Sequence, residues 1–147
     1  MSVQNDRIII DGLREAAAEM PAAIRRGLTT AAIGVHGQTF DKLSGAKGPA
    51  GEYPVPVVTG HLRRLLDWLK PGASKSGEAG TFSAGEMSTV VFDSASYAFA
   101  IHEGKGSSTK FGARPFLSDG FDQFNEGDKI VSILNDEIAK TMKESLA

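Results

Sequence analysis

The 147-residue chain contains no cysteine. That absence removes disulfides, thiolate metal ligands and a cysteine nucleophile together, and it fits a protein made in a reducing compartment. Also missing are an apolar run of about 18 residues and a basic-then-apolar leader. The expectation is therefore a soluble chain, cytoplasmic at synthesis, with no membrane partner. A basic excess is lacking too: the formal net charge is -2, whereas a generic nucleic-acid binder carries a strong positive surplus. The histidines His36, His61 and His102 stand in no metal spacing such as H-x-x-x-H. No metal and no cofactor is expected.

What is present is enough chain, residues 1–147, for a single domain that buries roughly two thirds of its unfolded surface without a staple. Charge is unevenly placed. Between Lys42 and Lys75 six bases (Lys42, Lys47, Arg63, Arg64, Lys70, Lys75) face two acids (Glu52, Asp67). Between Asp119 and Glu144 seven acids face three bases (Lys129, Lys140, Lys143). One reading is two solvated faces; the other is complementary edges that attract when identical subunits meet.

From about Asp6 to Leu43, Ile9, Leu13, Ala17, Met20, Ile24, Leu28, Ala31 and Val35 recur every three or four positions, a helical stripe. Pro21 interrupts it, which predicts a kink or a fresh helix with the proline in its first turn, so that a short helix precedes a longer one. Ala22, Ala23, Ala31 and Ala32 permit another element to come close. Residues 44–58 hold three prolines and three glycines and read as a loop or arm. His61 to Leu69 satisfies either a short helix with Thr59 near its cap or the start of a strand, ended by Pro71-Gly72. Thr81–Ser83 and Met87–Phe92 read as a β-hairpin turning at Ala84-Gly85-Glu86. The polar, glycine-rich 73–80 leads into it.

Tyr97 to Ile101 is apolar and too short to distinguish a strand from one or two helical turns. A second arm, 104–113, carries Lys105 and Lys110 and no acid. Phe121, Phe124, Ile130, Ile133, Leu134, Ile138, Met142 and Leu146 predict a C-terminal amphipathic helix whose regular part Gly127 delays to about Asp128. The fold class expected is α+β, with helices at the ends and a small antiparallel sheet between them.

Catalytic signals are weak. His102-Glu103 beside Tyr97 offers an acid/base pair, but no nucleophile or oxyanion motif accompanies it. The loop from Gly104 to Lys110 lacks the G-x-x-x-x-G-K-[ST] order of a phosphate cradle. Lys105, Lys110 and Arg114, with Phe111 the lone interleaved aromatic, make a poor nucleic-acid site. The chain is not expected to be an enzyme.

One ordered series is more specific. Pro54 precedes Thr59-Gly60-His61-Leu62-Arg63; Tyr97-Ala98 follows, with Ile101-His102-Glu103-Gly104; then comes Ala113-Arg114-Pro115-Phe116-Leu117. This series resembles the neck or tail-completion proteins of long-tailed bacteriophages, the head-tail joining family related to lambdoid minor tail components. The likeness runs from about Asp11 to Leu146. It departs where Glu103 is followed directly by Gly104-Lys105, since the family commonly has an aromatic and then Gly-Thr.

The resemblance implies that Thr59, Gly60, Leu62 and Arg63 shape the entry into the sheet. Tyr97, Ala98, Glu103 and Gly104 then form a core turn, and Arg114, Pro115, Phe116 and Leu117 start the last helix. Arg114 near Glu103 would hold the base of the basic loop by a charge-assisted hydrogen bond. The implied function is structural: a homo-oligomeric ring of six or twelve copies in the virion neck, assembled in the host cytoplasm. It would join the head connector to the tail terminator or tail tube and leave a channel for DNA, read without sequence recognition. Alternatives are a tail terminator or minor tail component at the tube end, or a small hydrolase using His102 and Glu103. Lys105 and Lys110 would face a protein neighbour or the DNA channel.

Overall fold

The computed structural model describes residues 3–43, 60–104 and 113–146. The two arms (44–58 and most of 104–113), with Thr59, Lys105 and Lys110, lie outside the described residues. Helix α1 runs from Val3 to Lys42 as one 40-residue element, about 60 Å long. Pro21 sits inside it, so the expected second helix beginning at the proline does not occur. The reason lies in the last helix, α5 (Lys129–Leu146). Leu146 packs at Gly12 and Leu134 packs at Gly27, so α5 runs antiparallel to α1 and bridges the proline from both sides. Pro21 itself is exposed, and so is Ala17, whose carbonyl loses its helical donor and can turn to water.

The inward face of α1 also differs from the expected stripe. Ala31 and Val35 are buried, but Leu13 is 46% exposed and Ala17 is at the surface. The contact line runs instead through Ala16, Ala23, Ala31, Val35 and Thr39. A Cβ on Gly27 would sit 2.8 Å from Leu134 Cδ2 and 3.5 Å from Leu134 Cα. Backbones this close select small residues for the seam and push large apolar ones to its flanks. Of the four alanines read as allowing close approach, Ala23, Ala31 and Ala32 are buried and Ala22 is half-buried.

After α1 come α2 (His61–Arg64), β1 (Leu66–Leu69), β2 (Ser74–Gly77), β3 (Gly80–Ser83) and β4 (Val90–Asp93). The short helix and the strand, posed as alternatives for His61 to Leu69, occur in succession. Strand pairing departs from the expected hairpin. β3 pairs with β2, Ser74 opposite Ser83, and β4 pairs with β1, Leu66 opposite Asp93. The segment 73–80 is thus a strand and a tight turn. The connection 84–89 joins two sheets, because Leu66 to Leu69 offers β4 an apolar partner that Gly80-Thr81-Phe82-Ser83, with one large apolar side chain, does not match. The sheets meet where Phe82 stacks on Phe92 at 4.3 Å and where Lys75 pairs with Asp67.

Tyr97 precedes α3 (Ala98–Glu103), and Pro115 precedes α4 (Phe116–Phe124). Arg114 to Leu117 therefore start the penultimate helix and not the last. Gly127 and Asp128, both at positive φ, turn the chain into α5, and Asn125 Oδ1 accepts the Ile130 N–H at 3.0 Å. The architecture is α+β. Leu43, Leu62, Leu66, Ala95, Ala98 and Phe116 form one core cluster; Ala31, Val35 and Phe124 form a second; Leu69, Ala84 and Phe92 a third.

Candidate functional site

The motif residues converge. Gly60 takes φ 74, a left-handed conformation suited to glycine, and from it α2 departs. Leu62 then enters the core beside Ala98 and Phe116. Arg63 turns the other way and lays its guanidinium over the Phe40 ring of α1, 5.5 Å from the centroid. The Leu62 backbone hydrogen-bonds the Tyr97 hydroxyl, so the second block of the series is tied to the first. Gly104 ends α3 at φ 69, its N–H on the Ala100 carbonyl.

The third block joins through the backbone. Arg114 N–H donates to the Ile101 carbonyl at 3.2 Å, and the Arg114 side chain is 1% exposed. Phe116 is fully buried and meets the His102 ring edge-on at 5.3 Å. Leu117 packs against the same core. The expected pairing of Arg114 with Glu103 is not among the ion pairs of the described residues. Glu103 Oε1 instead lies 2.7 Å from His102 Nδ1, since adjacent side chains at the end of a helix reach each other more readily than a buried guanidinium. On the other side of the ring, His102 Nε2 is 3.5 Å from Ser118 Oγ. That places a hydroxyl, an imidazole and a carboxylate in sequence.

A second polar group collects at the far end of the β1–β4 pair. Glu78, in the turn between β2 and β3, sets Oε1 2.7 Å from His61 Nε2, and its Oε2 accepts the Ser96 N–H at 3.1 Å. These two bonds, His61 first, hold the Glu78 carboxyl below its usual pKa. The His61 ring stacks on Tyr97 at 5.9 Å. Beneath them Asp93 is 6% exposed. Its Oδ1 accepts the Ala95 N–H at 3.0 Å, and its Oδ2 has no hydrogen-bond partner among the described residues. Burial raises the Asp93 pKa to about 6 against this one bond. Burial, and then the Asp93 charge, raise that of Tyr97.

Sequence reasoning missed Glu78, Asp93, Ser96 and Ser118. Asp93-Ser94-Ala95-Ser96 directly after a β-branched run is the pattern of a side-chain turn and was open to reading; nothing local marks Glu78 or Ser118. An apolar groove of about 380 Å³ runs between Leu28, Val35, Met87, Phe121 and Ile130. It has no charged lining. Among the described residues, no cluster of three His, Cys, Asp or Glu is placed to hold a metal, and no helix is long and apolar enough to cross a membrane. No family model, no curated protein and no solved structure matches this chain.

Proposed function

We propose that the chain is a structural protein of a bacteriophage neck, working as a homo-oligomeric ring between head connector and tail. The observation that carries this reading is the meeting of the three motif blocks. Leu62, Ala98 and Phe116, from blocks far apart in sequence, share one core cluster, with Arg114 and Tyr97 bonded to its edges. The series that resembles the neck proteins is thus one structural unit. Charge placement supports ring closure. The basic surplus falls on the end of α1, on α2, on Lys70 and on β2, and the acidic surplus falls on α4 and the turn that follows it, α5 being balanced. A head-to-tail ring uses two different surfaces of each subunit.

The test is native mass over a concentration series at low and high salt. A discrete species of six or twelve subunits, weakened by salt, is the expected result. A chain that stays monomeric throughout, and also on addition of connector or tail-tube particles, rejects the ring. Binding at the tube end only would make it a tail terminator or minor tail component.

One observation favours a second reading. Ser118, His102 and Glu103 stand in the order nucleophile, base and orienting acid used in acyl transfer. Turnover of p-nitrophenyl acetate that disappears in Ser118→Ala would support a small hydrolase; no turnover in the intact chain rejects it.

A further inference from the structure

We propose that the junction of α2, the β2–β3 turn, β4 and α3 is an acid-closed clasp that fixes the β2–β3 hairpin to the rest of the fold. The hairpin is held near its base by Phe82 on Phe92 and Lys75 on Asp67, and its tip by this junction. A two-stranded sheet is marginal by itself, and the strand residues of β2 and β3 are exposed apart from Phe82, which is half-buried. At the tip, Ala79 N–H donates to the Ser94 carbonyl at 3.0 Å. Glu78 holds His61 and Ser96. A Cβ on Gly77 would overlap the Ser94 side chain, so the tip lies directly on the residue next to Asp93.

The groups that face one another here come from every element around the junction. His61 and Arg64 belong to α2, Glu78 to the turn, Asp93 to β4, and Tyr97 stands at the start of α3; Arg64 acts on Tyr97, and Glu78 on both Asp93 and Tyr97. From α1, His36 Nε2 reaches the carbonyl of Leu66, the residue paired with Asp93, at 3.3 Å.

In mild acid Asp93 is protonated and Glu78 keeps its charge, held by its 2.7 Å contact with His61 and by the Ser96 N–H. In mild alkali Asp93 is charged as well, and two carboxylates share the junction, one of them sealed from water. Hydrating Asp93 then requires the tip to lift from Ser94. Because Glu78 must stay ionised, the clasp also weakens in strong acid, below the usual Glu78 value of 4.5. The closed form presents the exposed hairpin as a rigid surface, and the open form as a tethered flap.

The inference does not depend on the neck reading. Its test is amide hydrogen exchange of the whole chain at pH 5.0 and pH 8.0, each rate divided by the intrinsic rate at that pH. If the carboxyl titrates near 6 when closed and near 3.8 when open, the Ala79 and Ser96 amides lose about tenfold in protection between the two pH values from Asp93 alone. Global unfolding also exposes Asp93 and shares this pH dependence, so the amides of α1 facing α5 should keep higher protection than the tip at both pH values, and Asp93→Asn should abolish the loss at the tip. Equal protection of Ala79 and Ser96 at both pH values overturns the clasp. So does tip protection equal to that of α1 at both pH values, or a loss that survives in Asp93→Asn. Should that variant fail to fold, the comparison of the hairpin with α1 in the unaltered chain still decides.

Discussion

Leu134 Cδ2 occupies the space where a Cβ on Gly27 would stand, 2.8 Å away, and this contact sets the distance between the two longest helices. Gly37, ten residues further along α1, has nothing within 4 Å of the same position. Both glycines are helical, so alanine should gain roughly 0.5–1 kcal/mol of helix propensity at either. Only at Gly27 does overpacking of about 1–3 kcal/mol oppose the gain. Urea denaturation should find Gly37→Ala stabilised by up to about 1 kcal/mol and Gly27→Ala destabilised by about 1 kcal/mol. Gains of equal size at both positions would mean that α5 is not seated as described.

Pro21 is carried within α1 because α5 spans it. Replacing it with alanine restores one backbone hydrogen bond and removes a clash, an effect of up to about 3 kcal/mol. Pro21→Ala should therefore raise the stability of the chain by about 1–3 kcal/mol, read as a shift in urea midpoint with unchanged slope. A fall in stability would show that the proline supplies a bend the helix pair needs.

Asp93 gives the fold a defined pH dependence. Its carboxyl rises from the usual 3.8 to about 6, so the folded chain holds this proton more tightly than the unfolded one. The sign follows: the contribution is most favourable below about pH 4, declines as pH rises toward 6, and is flat above. About two pKa units correspond to roughly 3 kcal/mol. Asp93→Asn removes the charge while keeping an acceptor for Ala95, and should stabilise the chain at pH 8 while flattening the slope between pH 4 and 6. Thermal denaturation across that range measures both.

Arg114 and Glu103 should behave as separate sites. Arg114 is buried against the core, and truncating it to alanine should cost about 2–4 kcal/mol through lost packing of its stem and its polar contacts. Glu103 holds His102 near the surface, and Glu103→Gln should stay within about 0.5 kcal/mol. A double-mutant cycle between them should give a coupling below about 0.5 kcal/mol. A larger value would restore the direct pairing read from the sequence.

Much of the architecture was legible in the chain because it is written in local periodicity. The apolar repeat from Ile130 to Met142 places α5, and Gly127 marks where it begins. The motif blocks named Leu62, Ala98 and Phe116, and these meet in the core. Two expectations failed for reasons no local pattern holds. The hairpin was assigned between neighbouring runs, but strands pair by the complementarity of their faces, and Leu66–Leu69 suited Val90–Asp93 better. The helix was expected to break at Pro21, but an antiparallel partner more than a hundred positions away holds it whole.

The sequence by itself determined the class of the fold, the regular part of its last helix and three residues of its central core, Leu62, Ala98 and Phe116, since these follow from apolar spacing, turn residues and the motif blocks. Only the tertiary structure decided which face of α1 is buried, how the four strands pair, and that His61, Glu78, Asp93 and Tyr97 stand together. Each of these depends on the distance between elements remote in the chain, which is set by packing and is not encoded in any one segment.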